Sequence, residues 1–120
     1  MPNAQTACTG RHQDLCAAKM QAALKSLEGR WKMMILSQLF AEPVMRFSDL
    51  QRAIPAVSQK MLIQQLRGLE MHGIVSRTLY PQVPPKVEYR LTDLGQALRP
   101  VFLALLDWAD LRSAEMESGS

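Results

Sequence analysis

With 120 residues the chain is long enough for one domain with a modest core, and its 48% apolar content is that of a globular protein. No uninterrupted apolar run approaches the roughly 20 residues of a membrane span. The start, Met1-Pro2-Asn3-Ala4-Gln5-Thr6, lacks the charged leader and apolar core of a secretory signal, so cytoplasm is the expected location. The net charge of +3 conceals a gradient, with +2 over residues 1–45, +4 over 46–90 and −3 over 91–120. A nucleic-acid partner needs a basic footprint gathered in one place, as in the middle segment. An ordinary surface also carries an excess of four charges, so the gradient alone decides nothing.

Residues 1–13 are polar and without periodicity, which predicts an arm that is mobile unless a partner pins it. Asp14 is placed to cap a first helix running to about Glu28, with Met20, Ala23, Leu24 and Leu27 on one side. Its alanines favour helix, and Gly29 ends it. A second helix follows from about Trp31 to Phe40, with Ile35, Leu36 and Leu39 as core candidates. Glu42-Pro43 breaks it, and Val44 and Met45 form a short extended piece. Phe47 to Ala53 reads as a short helix whose anchors are Phe47, Leu50 and Ile54. Pro55 then prevents helical continuation and makes the turn into the next helix.

That next helix is the most informative stretch. Ser58 is a good N-cap, because its hydroxyl can accept from a backbone N–H that the helix leaves unpaired. Leu62, Leu66 and Leu69 recur at four- and three-residue spacing and make one apolar stripe. Gln59, Lys60, Ile63, Gln64 and Arg67 fall on the opposite face, which holds cations and amides but no carboxylate. Glu70 comes only in the last turn, His72 is a capping or surface histidine, and Gly73 is a C′ residue. Arg and Lys can donate to guanine, Gln can pair with adenine, and Ile63 can touch a thymine methyl. A merely solvated face would look the same in isolation. The next segment shifts the balance: Ile74 to Tyr80 and Val87 to Leu91 read as strands joined by Pro81-Gln82-Val83-Pro84-Pro85-Lys86. A helix followed by a hairpin with a basic, proline-stiffened tip is the layout of a winged helix-turn-helix.

After the hairpin, Thr92 caps a long terminal helix beginning at Asp93, whose charge suits the positive end of the helix dipole. Leu94, Leu98, Val101, Phe102, Leu105 and Trp108 form one stripe, while Leu103, Leu106 and Leu111 lie off it. One buried face does not account for so wide an apolar surface, so a second protomer is expected to cover the remainder. Pro100 is placed to bend this helix. The domain is therefore expected over 14–115, with the arm before it and a frayed tail at 116–120.

Gly29-Arg30-Trp31-Lys32, Arg46-Phe47-Ser48-Asp49-Leu50, Ile54 to Leu62, Leu66-Arg67-Gly68-Leu69-Glu70, Gly73 to Arg77, Val83-Pro84-Pro85-Lys86-Val87-Glu88-Tyr89 and Leu91-Thr92-Asp93-Leu94-Gly95 occur in order. In these motifs the chain resembles the HxlR family of bacterial winged helix-turn-helix transcription regulators, from about Cys16 to Trp108. The most specific part is Val83 to Tyr89 with Leu91-Thr92. The resemblance implies a mainly α fold with a small antiparallel β-hairpin, dimerising through the first and last helices. Met20, Leu24, Leu98, Phe102, Leu105, Leu106 and Trp108 are the expected interface. It further implies a nucleoid-associated homodimer on a two-fold operator in double-stranded DNA. Ser58, Gln59, Lys60, Ile63, Gln64 and Arg67 meet the major groove, and Gln82, Lys86 and Arg90 reach the duplex from the wing. Arg46 and Lys32 are expected on phosphates, although Arg46 could instead pair with Asp49 on the surface. Glu88 is expected to order the wing by pairing with a cation such as Arg77.

Many members of this family have a cysteine just ahead of the first helix, usually followed by proline, and in several it responds to oxidants or electrophiles. Cys16 sits near that position but is followed by Ala17, and Cys8 is the second candidate. A helix N-terminus lowers a thiol pKa, Asp14 opposes this, and an inert thiol among alanines fits as well. Cys8, His12 and Cys16 recur at four-residue spacing, but a fourth ligand and an ordered backbone are lacking, so neither metal nor cofactor is expected.

No Gly-rich phosphate loop, nucleophile elbow or paired carboxylates support an enzyme, and Asp107 and Asp110 read as solvated. A winged-helix protein-interaction module is disfavoured because Lys60, Arg67, Lys86 and Arg90 keep the outward face cationic. A small-molecule effector between the terminal helices is a further alternative, with Met20, Met33, Met34 and Met116 as adaptable lining or simply as core filling.

Overall fold

The computed structural model describes residues 13–118. In chain order the elements are α1 (Gln13–Ser26), α2 (Lys32–Ala41), β1 (Val44–Arg46), α3 (Phe47–Ala53), α4 (Gln59–Met71), β2 (Val75–Tyr80), β3 (Lys86–Leu91), α5 (Asp93–Gln96) and α6 (Arg99–Ser118). The arm at 1–12 and residues 119–120 lie outside the described residues.

The core forms where three short helices meet the root of the sheet. Ile35, Leu36 and Leu39 from α2, Leu50 from α3, and Leu62, Leu66 and Leu69 from α4 are all essentially sealed from solvent. Burial of each is worth about 1.5–3 kcal/mol. Ile54, Val57, Ile74, Val75, Tyr89 and Leu91 close the same cluster. The expected Val44–Met45 extended piece is a strand: β1 pairs with β3, and β3 with β2, in one antiparallel sheet ordered β1-β3-β2. Met45 and Arg77 both stand opposite Tyr89, while Arg46 and Thr78 stand opposite Glu88. Side chains alternate between faces, so Met45, Val75, Tyr89 and Leu91 turn to the core and Glu88 turns away.

The terminal helix differs from its expected form. It is broken between Gln96 and Arg99, and Pro100 stands in the first turn of the new helix, not at a bend within a continuous one. Proline has no N–H to give the Gln96 carbonyl, and its ring would clash there. The chain tightens instead, with Leu98 N–H donating to Gly95 O at 3.1 Å, before α6 starts. The base of α6 is fastened to its own subunit: Arg99 donates to Phe40 O at 3.3 Å, and the Phe40 and Phe102 rings lie 5.1 Å apart. Leu98 and Phe102, expected at a dimer interface, thus pack largely on the core of their own chain. Further along, Leu105, Trp108 and Leu111 are 48%, 60% and 67% exposed, as are Met20 and Leu24 of α1 at 60% each. Helix α6 runs through Ser118, the last described residue.

One small motif ties the wing root to the end of α4. Gly73, at φ +72°, closes α4, and Ile74 N–H donates to Leu69 O at 2.9 Å. Thr92 then donates its hydroxyl to Gly73 O at 2.5 Å and its amide to Ile74 O at 3.0 Å. The same hydroxyl accepts from Gly95 N–H at 3.1 Å, capping α5. Gly95 packs so closely that an added Cβ would collide with the Ile74 carbonyl oxygen and stand 3.0 Å from Leu91 Cδ2. Backbone is the obstacle, so no side-chain rotation relieves it. Gly95→Ala is expected to destabilise the fold by about 1–3 kcal/mol. Urea unfolding should show a lower midpoint at unchanged slope.

Candidate nucleic-acid interface

α4 turns outward the face that its leucines leave free. Ser58 accepts the Met61 N–H at 3.1 Å, which starts the helix at Gln59. With Leu62, Leu66 and Leu69 buried, Gln59, Lys60, Gln64 and Arg67 are exposed and Ile63 is half-buried between them. No carboxylate is interposed until Glu70. On the flank, Lys32 of α2 lies across Gly68: a Cβ there would meet Lys32 Cε at 3.0 Å and Nζ at 3.1 Å. The expected phosphate ligand Lys32 therefore rests against α4. Gln65, which the sequence pattern did not single out, tucks under Gly29, where a Cβ would meet its Oε1 at 2.6 Å. Gly29 itself adopts φ +126°.

The Arg46–Asp49 alternative resolves into a cap. Asp49 Oδ2 accepts the Arg46 backbone N–H at 3.0 Å and its Oδ1 pairs with Arg52, so the Arg46 guanidinium is not taken by Asp49. In the wing, Glu88 does not pair with Arg77. Its partners are Lys86 at 3.4 Å and Arg90 at 3.2 Å. The period-two geometry explains this: residues 86, 88 and 90 share one face of β3, whereas Arg77 stands opposite Tyr89 on the other. Lys86 also sits 4.9 Å from the centre of the Tyr80 ring. Burial pushes the Glu88 carboxyl up, but hydrogen bonds from Tyr80 and Lys86 and the charges of Lys86 and Arg90 outweigh it. The net effect holds the carboxyl below its ordinary value. Gln82 is exposed at the tip beside Val83.

Between α4 and the core-facing side of the wing lies a cleft of about 480 Å³. Gln59, Ile63, Arg67 and Glu70 form one wall, Arg77, Val87 and Tyr89 the other, and Phe47 contributes from α3. Burial, with a smaller push from Glu70, raises the Tyr89 hydroxyl above its usual range, against opposing effects of Arg77 and Arg67. The sequence pattern alone does not place Arg77 and Tyr89 in this cleft. Their alternation is visible in the sequence, but which face each takes depends on the register that the hairpin connection sets.

A model of the HxlR-like helix-turn-helix matches residues 26–117. The chain belongs to this family. An HTH-type transcriptional regulator of Methanothermobacter thermautotrophicus is 37% identical over 109 residues, 91% of this chain and 81% of that one. The structure of the redox regulator HypR in its reduced form superposes with a TM-score of 0.76 at 38% identity, covering 83% of this chain and 98% of HypR. Reduced YodB from Bacillus subtilis gives a TM-score of 0.69 at 41% identity, over 77% of this chain and 89% of YodB. This HxlR-type protein is accordingly a helix-turn-helix transcriptional regulator, with the winged fold those structures share.

In this HxlR-type chain Cys16 is half-buried in α1 and disulfide-bonded. Cys8 and His12 lie outside the described residues, among which no cluster that could hold a metal is found. No helix of the described residues is long and apolar enough to cross a membrane. The four methionines considered as effector lining do not gather in one place within the subunit. Met33 packs on the core, Met20, Met34 and Met116 are exposed, and the cleft of about 210 Å³ beside α1 is lined instead by Ala23, Leu27, His72, Leu94 and Leu98, among others. His72 is the C-cap of α4, as expected.

The wing carboxylate makes a pH prediction. A folded pKa below the unfolded one adds stability that is present above the ordinary value of 4.5 and lost as pH falls through the folded value. Thermal unfolding of the regulator should therefore lose stability below about pH 4.5, and Glu88→Gln should remove part of that dependence. Parallel curves for both proteins would count against the Lys86–Glu88–Arg90 cluster as its source.

Proposed function

We propose that the regulator binds a two-fold DNA operator as a homodimer, with α4 in the major groove and the wing at the adjacent minor groove. The observation that carries this reading is the outward face of α4, where amides and cations flank Ile63 above a fully buried leucine stripe, with no carboxylate before Glu70. Gln59, Lys60, Ile63, Gln64 and Arg67 read base edges, with Ser58 at the helix start. Lys32 and Arg46 hold phosphates from the flanks, while Gln82, Lys86 and Arg90 contribute from the wing. Lys86 and Arg90 already have Glu88 as a partner, so their contribution to DNA is electrostatic and shared. The second protomer covers Met20, Leu24, Leu105, Leu106 and Trp108, and Leu98 and Phe102 support that surface from beneath. Half-sites then lie about one helical turn, or a small multiple, apart.

Arg67→Ala or Gln64→Ala should relax base preference and cost about 1–3 kcal/mol on the specific site. Lys86→Ala should weaken binding to every sequence alike and reduce the salt slope by about one. Titrations at several salt concentrations on operator and scrambled DNA separate the two effects. An unchanged base preference in both α4 variants would remove α4 from the reading role.

We further infer redox control of operator affinity, supported by the disulfide at Cys16 and by the likeness to HypR, solved in reduced and oxidised forms, and to YodB, solved reduced and after diamide. Reduction adds two electrons and two protons to a disulfide and returns two thiols; diamide takes them back and becomes its hydrazine. Operator affinity should change between dithiothreitol- and diamide-treated protein, and Cys16→Ser should abolish the change. A response that survives in Cys16→Ser assigns it elsewhere.

A further inference from the structure

Two arginines reach the cleft beside α4 from different elements, Arg67 from the helix and Arg77 from β2. Among the described residues neither forms an ion pair. Glu70 lines the same cleft, so two guanidinium charges face one carboxylate and a single positive charge is left over. The Tyr89 ring is buried, and Arg77 stands opposite it in the β2–β3 register. A phenol has one proton to donate to an anion placed beside it. Ile63, Val87 and Phe47 supply an apolar wall beside these polar groups. A volume of about 480 Å³ falls within the range of about 300–1,000 Å³ typical of small-molecule sites.

An unpaired guanidinium, a phenolic donor and an apolar wall together suit one kind of ligand. We propose that this cleft binds a small aromatic monocarboxylate, and that the bound acid excludes DNA. The carboxylate accepts from Arg77 and the Tyr89 hydroxyl, and the ring lies against Ile63 and Val87. Charge selects the monoanion: the cleft has one surplus positive charge, so a second carboxylate on the ligand would stand uncompensated. Exclusion follows from geometry, because Gln59, Ile63 and Arg67 belong both to the cleft wall and to the face of α4 assigned to base edges. The binding itself needs only the protein; the exclusion rests on the operator reading above.

The test titrates 2-naphthoate, followed by its fluorescence, into the DNA-free full chain, with neutral 2-naphthamide as control. Naphthoate should saturate and naphthamide should not. Arg77→Leu should weaken naphthoate binding about tenfold or more and Tyr89→Phe by a smaller factor. On operator DNA, naphthoate should displace the wild-type protein, while whatever operator affinity Arg77→Leu retains should be insensitive to the acid. Equal binding of naphthamide, no naphthoate binding, or affinity unaltered in both variants would overturn the site. Should Arg77→Leu fail to fold by circular dichroism, Tyr89→Phe carries the comparison. If the wild type binds naphthoate as described but no operator, the operator reading falls and the site stands.

Discussion

Burial of Leu62, Leu66 and Leu69 against α2 and the sheet root sets the rotation of α4 about its axis, and the outward chemistry follows from it. Each leucine is sealed from solvent and contributes about 1.5–3 kcal/mol. Turning the helix by one residue's angle would expose part of that stripe and push Gln59 or Arg67 into the apolar interior. Burying such groups without partners costs more than any hydrogen bond they make at the surface returns. The polar face is thus held outward by the core beneath it, with no need for surface contacts to orient it.

The wing is fixed by a different balance. Its root is bound through main-chain groups, since the Thr92 hydroxyl and amide both donate to carbonyls at the end of α4. Its outer part is held by charge, with Glu88 set between Lys86 and Arg90. That arrangement lowers the positive potential a duplex would feel from the two cations while keeping them in place. The root is therefore rigid relative to α4, and the tip beyond Tyr80 is governed by electrostatics that salt can screen.

Much of this was legible because local and global signals agree. Ser58, the leucine stripe and Gly73 each mark α4 independently, and the observed helix begins and ends where they place it. Strand β1 followed from Pro43 and the two apolar residues after it. The break before Arg99 was not legible, because the 3.6-residue stripe runs from Leu94 through Leu98 and Phe102 without interruption. Only the missing N–H of Pro100 opposes that stripe, and whether a proline bends a helix or starts a new one depends on neighbouring hydrogen bonds, here Leu98 to Gly95. The Glu88 pairing failed for a related reason. Opposite charge suggested Arg77, but face is decided by register, and Arg77 shares its face with Tyr89.

The same break gives α6 its role. Leu98, Arg99 and Phe102 fasten its first turn to Phe40 at the end of α2, and past that point its large apolar side chains are about half exposed or more. An exposed apolar surface running along a helix is costly in a lone subunit, and α1 presents Leu15, Met20 and Leu24 in the same state. In the homodimer proposed above, a second copy with the same two helices supplies matching apolar area with closed symmetry. Because α2 also packs on α4, a pairing through α1 and α6 sets the separation of the two α4 helices through only one intervening helix in each subunit. Under the redox reading proposed above, a chemical change at Cys16 falls on α1, one of the two helices that this pairing uses.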